Sequence, residues 1–182
     1  MRTGWVSDDV MGHLLAALAP PNRLACEVSL RYGMRIGDVL ALKTDQLRKG
    51  KLSYREQKTG KRRVVSLSVK FRDILLSQAG RVYVFEHRTD PYRHRTRQAV
   101  WKDLKRIARI FRLGDVSVHS CRKGYAVRAY RQCGDMQKVK RLLNHSDEAV
   151  TMLYAMADIL SKRVEKYFTK LSQCTHKTIT HE

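Results

Sequence analysis

One alternating stretch, at residues 51–67, interrupts a chain whose other apolar residues recur mainly at helical spacing. The segments KLSYREQ and RRVVSLS alternate between apolar and polar residues, and KTGK at residues 58–61 supplies turn residues between them, which together predict a β-hairpin. A third strand is predicted for RVYVF at residues 81–85. We therefore expect an α+β fold that is mainly helical and contains a small three-stranded antiparallel sheet.

Helices are predicted on both sides of the hairpin. The first is capped by Ser7 and carries the apolar stripe Val10, Leu14, Ala17 and Leu18. A second runs from about Asn22 to Tyr32 and ends at Gly33, where a left-handed conformation costs glycine little. After the hairpin, the cap Ser68 begins a short helix at 69–78. A longer helix follows with the stripe Val100, Leu104, Ile107, Ala108 and Phe111.

The segment at residues 118–154 combines an apolar stripe with groups that can bind an anion. From about Ser120 it is predicted to be helical, because Arg122, Ala126, Ala129 and Cys133 recur at helical spacing. An arginine thus heads an otherwise apolar stripe, with no carboxylate within a turn of it, so we expect an external anion as its partner. His119 lies three residues earlier on the same face, and His145 and Tyr154 follow. This set of side chains is typical of a phosphate-handling site.

A second arginine, Arg35, is predicted in the first turn of a helix whose Ile36, Val39 and Leu40 face the core. A cation there opposes the helix dipole unless it shares an anion with the free backbone N–H groups. Asp38, one turn further on, can orient the guanidinium. The residues alone favour a simpler interpretation, in which Arg35 and Asp38 form an ordinary surface pair.

The charge of the chain indicates a polyanionic partner. Its 37 Lys and Arg residues against 17 Asp and Glu residues give a net charge of +20, and the sequence pI is about 10.3. These cations are spread along the chain instead of forming one basic amphipathic helix, which favours nucleic acid over a membrane surface. The basic loop at residues 86–98 and the start of the helix after it are predicted to contact phosphates.

Four boxes along the chain together resemble the catalytic domain of the tyrosine recombinases, the phage integrase family. GMRIGDVLALK is similar to the first arginine box, QKTGKRRVVSLS to the lysine hairpin, HSCRKGYAV to the H-x-x-R box, and LLNHSDEAVTMLY to the final box. The family's six catalytic positions are filled in order by Arg35, Lys58, His119, Arg122, His145 and Tyr154. The departures are Cys121, Lys123, Gly124 and Asn144, where the family commonly has leucine, histidine, threonine and glycine.

The resemblance implies site-specific DNA recombination through a 3′-phosphotyrosyl intermediate. Arg35, Arg122 and His145 would bind the non-bridging phosphate oxygens, and Tyr154 would be the nucleophile. Lys58 would protonate the departing 5′ oxygen, while His119 would act as base, with no metal or nucleotide cofactor. We expect Asp38 to support Arg35. Further DNA contacts are predicted for the basic residues Lys61, Arg62, Arg93, Arg95, Arg97 and Lys123.

The resemblance also implies partners and a domain organisation. We expect double-stranded DNA as partner, self-assembly into a tetramer on it, and no membrane. Residues 1–172 would form the catalytic domain, with a helix at about 159–171 that neighbouring protomers can exchange, and residues 173–182 a flexible tail. No N-terminal core-binding domain is expected, which leaves open whether the chain is a fragment or a single-domain member. Two alternatives remain: DNA relaxation as by a type IB topoisomerase, and an accessory DNA-binding role.

Other site chemistry and other locations find less support. The candidate site has no clustered carboxylates, which disfavours a metal-dependent nuclease. Cys26, Cys121, Cys133 and Cys174 lack the spacing of a zinc site or a disulfide framework. Since there is also no signal-peptide core and no apolar run long enough to span a membrane, we expect a cytoplasmic, nucleoid-associated protein.

Overall fold

The computed structural model describes residues 6–48, 51–114 and 116–143 of the chain. The chain divides into two compact units, Met1–Arg128 and Ala129–Glu182. The described residues form, in order, helices α1 Asp8–Ala16, α2 Pro20–Tyr32, α3 Ile36–Leu40 and α4 Thr44–Arg48, strands β1 Lys51–Arg55 and β2 Arg62–Ser66, then helices α5 Val69–Ser77, α6 Arg97–Ile110, α7 Val118–Cys133 and α8 Met136–Leu143. The mainly helical class with one small sheet is confirmed.

The first two helices begin and end at their predicted signals. Ser7 caps α1, and its hydroxyl accepts a hydrogen bond from the Val10 N–H at 3.4 Å. The buried face of α1 continues to Leu18 and differs in part from the predicted stripe, since Met11 and Leu15 are buried beside Leu14 while Ala17 is exposed. Helix α2 starts at Pro20, before the predicted Asn22. Proline is tolerated there because N–H groups in the first turn of a helix have no acceptor within the helix, so the N–H that proline lacks is not missed.

Strands β1 and β2 form the predicted antiparallel hairpin. Lys51 pairs with Ser66 and Arg55 with Arg62, so the loop between the strands spans residues 56–61. Within it the Glu56 N–H donates to the Lys61 carbonyl at 3.0 Å, and the Gly60 N–H donates to the Glu56 carbonyl at 2.9 Å. Gly60 has a φ of 68°, which a glycine adopts without a steric cost. The backbone of the loop is therefore fixed by its own hydrogen bonds.

The predicted third strand at residues 81–85 is wrong for this part of the chain. The segment makes one isolated antiparallel bridge, Lys43 with Tyr83, and the described sheet has two strands. Two flanking hydrogen bonds are present, from Val84 N–H to the Leu42 carbonyl at 2.9 Å and from Thr44 N–H to the Val82 carbonyl at 3.1 Å. The pairing stops there because α4 begins at Thr44, so the backbone turns away into a helix.

The core of the first unit is built around α6, which contacts α1, α2 and α3. Val100, Leu104, Ile107 and Ala108 are buried on it as predicted. Phe111 was predicted on the same stripe, but it is 45% exposed because α6 ends at Ile110 and Arg112 reverses the chain with a φ of 52°.

Helix α7 begins at Val118, two residues before the predicted start. Its Arg122 and Ala126 are buried as predicted, and Cys133 is half-buried. In the second unit α8 buries Val139 and Leu143, and its first turn is capped by Asp135, whose carboxylate accepts from the Gln137 N–H at 2.8 Å. His145, Tyr154 and the predicted helix at 159–171 lie outside the described residues.

Candidate active site

Arg35 stands at the N-cap of α3, directly before the helix that was predicted to contain it. Its Nη1 forms an ion pair with Glu56 Oε2 across 2.8 Å, and the Arg35 side chain is 15% exposed. Asp38 was the anion expected beside it. That carboxylate is buried, and its Oδ1 accepts a hydrogen bond from the Gln57 N–H at 3.0 Å. The simple surface pair is therefore wrong, and the ion pair of Arg35 reaches the hairpin loop.

Glu56 is the buried anion that the sequence reasoning missed. Its side chain is 0% exposed, and besides Arg35 it lies 3.5 Å from Arg63 Nη1 and accepts a hydrogen bond from the Thr59 hydroxyl at 2.7 Å. Burial by itself would raise the pKa of the carboxyl, but these hydrogen bonds and the two guanidinium charges outweigh it and hold the pKa below its ordinary value of 4.5. Glu56 is therefore ionised at neutral pH.

The sequence did contain a signal for Glu56. Leu52 and Tyr54 are the inward-facing residues of β1, and residues two apart on a strand share a face. Glu56 continues that face just past the last residue of the strand. A carboxylate at an inward position needs cationic partners, so the alternation could have singled it out.

Arg122 on α7 reaches back to the loop before Arg35. It is 6% exposed, and its Nη1 donates a hydrogen bond of 2.7 Å to the carbonyl of Gly33. Burial lowers the pKa of Arg122 to about 10, with the charges of Arg35 and Arg63 acting in the same direction and Glu56 opposing them. The partner expected for this guanidinium was external. The Gly33 carbonyl shows that this guanidinium also has an internal partner.

Gly33 makes this connection sterically feasible. It caps α2 in the left-handed region with a φ of 65°, as its position predicted. A Cβ at this residue would lie 2.5 Å from Cδ1 of Tyr125 on α7. A side chain here would therefore both strain the backbone and push α7 away, and the carbonyl that holds Arg122 would move with it.

Lys58 and His119 lie at the surface of the same unit. Lys58 is exposed in the hairpin loop, between Gln57 and Thr59, the residues that contact Asp38 and Glu56. His119 is exposed in the first turn of α7, and its backbone N–H donates to the Ser117 hydroxyl at 3.2 Å. Ion-pair and hydrogen-bond contacts thus link Arg35, the Lys58 loop and Arg122. The predicted positions His145 and Tyr154 lie outside the described residues.

The predicted DNA-binding cations divide into two groups. Lys61, Arg62, Arg93 and Arg97 are exposed, while Arg95 and Lys123 are half-buried. Burial lowers the pKa of Lys123. Arg95 serves an internal network, since its Nε donates to Asn22 Oδ1 at 2.6 Å and Asn22 in turn donates to Asp103 at 2.7 Å.

Comparison with known proteins identifies the chain at the level of family. A sequence model described as "Phage integrase family" matches residues 5–159. The chain belongs to the phage integrase family. The integrase of Escherichia phage P2 is 26% identical over 154 residues, which cover 85% of this chain and 43% of that protein. A probable integrase/recombinase of Bacillus subtilis strain 168, YoeC, is 27% identical over 142 residues, or 71% of this chain and 74% of that one.

Solved structures of integrases and recombinases share the fold of this family member. A lambda integrase dimer bound to a COC′ core site matches with a TM-score of 0.69 and 20% identity, covering 84% of this chain and 48% of that one. XerA recombinase matches with a TM-score of 0.66 and 19% identity, covering 90% of this chain and 66% of that one. The catalytic domain of bacteriophage HP1 integrase matches with a TM-score of 0.61 and 22% identity, covering 85% of this chain and 88% of that one. The chain thus spans less than half of the P2 integrase but most of an isolated catalytic domain.

Three further features of this phage integrase family member concern cysteines, metals and membranes. Cys26 and Cys121 are buried free thiols, and Cys133 is free and half-buried. Among residues 6–48, 51–114 and 116–143, no group of three or more His, Cys, Asp or Glu side chains is placed to hold a metal ion. Over the same residues, no helix has the length and apolarity needed to cross a membrane.

Proposed function

We propose that this chain is the catalytic part of a site-specific DNA recombinase that cuts and rejoins DNA strands through a 3′-phosphotyrosyl intermediate. One observation carries the proposal. Arg35 and Arg122, which come from distant parts of the sequence, are linked through the Gly33 turn, and Arg122 is held almost fully buried there. Taking a guanidinium out of water, almost fully for Arg122 and in part for Arg35, costs free energy, and such arginines are used where a carboxylate or a phosphate is bound.

A DNA phosphate fits this arrangement. The Tyr154 oxygen would attack phosphorus, forming the phosphotyrosyl bond as the bond to the 5′ oxygen breaks. Arg35, Arg122 and His145 would hold the non-bridging oxygens, on which charge grows in the transition state. Lys58 would supply the proton that the 5′ oxygen takes, and His119 would receive the proton of the phenol. A second strand's 5′ hydroxyl would then reverse the step.

Another tyrosine is a weaker candidate for the nucleophile. Tyr54 lies on the inward face of β1, and its pKa responds to the charges of Arg63 and Arg122. Burial raises the pKa of Tyr54 to about 12, however, so its phenolate is scarce at neutral pH. This supports the assignment of Tyr154, which rests on its place nine residues after His145 in the final box.

Double-stranded DNA is the proposed partner. The net charge of +20 and the exposed cations Lys61, Arg62, Arg93 and Arg97 supply the non-specific attraction to phosphates. Among proteins of the same fold, lambda integrase has been captured as a dimer on a core site and XerH bound to its difH substrate. We further propose assembly into a tetramer on DNA, with residues 1–172 as the catalytic domain and the segment at about 159–171 exchanged between protomers.

The experiment is to capture the covalent adduct. A pool of nicked suicide duplexes with randomised sequence around the nick is incubated with the protein, and adducts are isolated under denaturing conditions and sequenced. Tyr154→Phe should abolish the adduct while DNA affinity changes less than about twofold, since only a hydroxyl is lost. Tyr54→Phe is the matched control and should retain the adduct. An adduct that persists in Tyr154→Phe would contradict the assignment, and its loss in Tyr54→Phe would then identify Tyr54 as the nucleophile.

A further inference from the structure

Glu56 brings two predicted catalytic regions together. Its carboxylate pairs with Arg35 at the start of α3 and accepts the Thr59 hydroxyl within the hairpin loop. A second connection runs in parallel, because the Gln57 N–H donates to Asp38 of α3. Gln57 and Thr59 are the two neighbours of Lys58 in sequence. The residue before the lysine is therefore bonded directly to α3, and the residue after it is bonded to the carboxylate that pairs with Arg35.

We propose that Glu56 is a positioning residue that fixes the guanidinium of Arg35 relative to the Lys58 loop, so that phosphate binding and proton delivery to the leaving oxygen act at one phosphodiester. The inference rests on the proposed function. It adds a residue outside the six catalytic positions, and it adds a reason for the loop to be ordered before DNA arrives: positioned groups cost no reorganisation during the reaction.

The exposures of the two partners indicate that Glu56 supports Arg35 and does not compete with a phosphate for it. The Glu56 side chain is 0% exposed and that of Arg35 is 15% exposed, so the carboxylate lies on the interior side of the guanidinium and solvent lies on the other. The pair is formed through Nη1, and a guanidinium has five N–H donors in a planar fork. An anion arriving from solvent would meet a side chain whose orientation is already set.

The charges of the cluster agree with this role. Arg35, Arg63 and Arg122 interact electrostatically with Glu56, and Asp38 is the second carboxylate in the group. Three guanidiniums against two carboxylates leave one positive charge. Without Glu56 the net charge of the cluster would rise to two positive charges. Repulsion between Arg35 and Arg122 already lowers the pKa of Arg122, and the attraction of Glu56 that offsets it would be lost. Glu56 thus allows two catalytic guanidiniums to stay close together in the free protein.

The test uses the full chain and a duplex selected from the suicide pool. Glu56→Gln keeps the size of the side chain and removes its charge. Glu27→Gln is the matched control, because Glu27 also pairs with an arginine, Arg23 at 3.0 Å, but the Arg23 side chain is 49% exposed. Thr59→Val removes the hydroxyl that donates to Glu56 and leaves the carboxylate in place. Cleavage rates are measured in single turnover at saturating DNA, and affinities and melting temperatures are measured separately.

A change of leaving group separates positioning from mere stability. A duplex with sulfur in place of the 5′ bridging oxygen releases a thiolate, which needs no proton, so defects in proton delivery disappear on it. We expect Glu56→Gln to slow cleavage of the oxygen substrate about 10²-fold with affinity within about threefold, and to regain part of that loss on sulfur. Thr59→Val should slow the oxygen substrate about tenfold and be near wild type on sulfur. Glu27→Gln should leave both rates unchanged.

Three results would overturn the inference. Glu56→Gln that cleaves within about threefold of wild type would show that Arg35 needs no such support. Equal losses on oxygen and sulfur for both variants would show a structural effect only. If Glu56→Gln does not fold, the Thr59→Val comparison decides alone, and equal losses on the two substrates reject the coupling. Absence of any wild-type adduct on the pool would instead overturn the proposed function, and the inference with it.

Discussion

Replacing Arg122 by lysine should make cleavage depend on pH in a way that wild type does not. The wild-type guanidinium is 6% exposed, and its pKa is lowered to about 10, chiefly by burial. It therefore keeps its charge throughout the neutral range. A lysine at this position would enter the same poorly solvated environment with a lower starting pKa, 10.5 for an ordinary lysine.

The size of this pH dependence follows from the lowered pKa of Arg122. Burial of the same extent would lower the pKa of the Arg122→Lys ammonium from its ordinary value of 10.5 to about 8. Because the cation is the form present below the pKa, the charged fraction would fall from about 90% at pH 7 to about 10% at pH 9. This tenfold loss adds to a barrier increase on the order of 3 kcal/mol from losing the planar donor fork.

The assay is single-turnover cleavage of the selected duplex from pH 6.5 to 9 at protein concentrations well below saturation, because rates under these conditions report the ionisation of the free protein. Ionisation of the nucleophile changes the cleavage rates of both proteins by the same factor. The informative quantity is therefore the cleavage rate of Arg122→Lys divided by that of wild type at each pH. We expect this ratio to fall about tenfold between pH 7 and 9. Arg106→Lys is the control, because the Arg106 side chain is 59% exposed, and its ratio should stay flat. A flat ratio for Arg122→Lys would refute the reasoning that burial governs this charge.

Two further predictions concern residues that touch the arginines. Gly33→Ala should lower the free energy of unfolding by about 2–4 kcal/mol, because it combines a φ of 65° with a Cβ 2.5 Å from the Tyr125 ring. Gly60→Ala is the control and should lower it by only about 1 kcal/mol, because Gly60 has a φ of 68° but open space around it. Equal losses for the two variants in urea unfolding would contradict the steric argument. Asp38→Asn should stabilise the free protein at pH 7 and slow cleavage. Burial raises the pKa of Asp38 above 3.8, so its contribution to stability is present at low pH and is lost as pH rises through the folded pKa, and the gain from asparagine should vanish near pH 3.

Local signals in the sequence determined the elements and their ends. Ser7 and Ser68 cap helices as predicted, Gly33 ends α2 in the left-handed region, and the alternation at residues 51–67 is a hairpin. Each of these features depends on residues a few positions apart, whose interactions are set by backbone geometry before the chain folds. The order of the four boxes was likewise readable without coordinates, and it predicted the family that the comparisons confirm.

Only the tertiary structure decided which groups meet across the chain. The Arg122 contact with Gly33 spans 89 residues and the Arg95 contact with Asn22 spans 73, and no periodicity encodes either. The same holds for residues 81–85, whose strand-like composition was overruled because the backbone they meet turns into α4. Glu56 is the clearest case: a glutamate after a strand is usually solvated, and it became the buried anion beside Arg35 because the hairpin folds back onto the start of α3. Burial and long-range charge pairing depend on where distant segments pack, and that is settled only when the core forms.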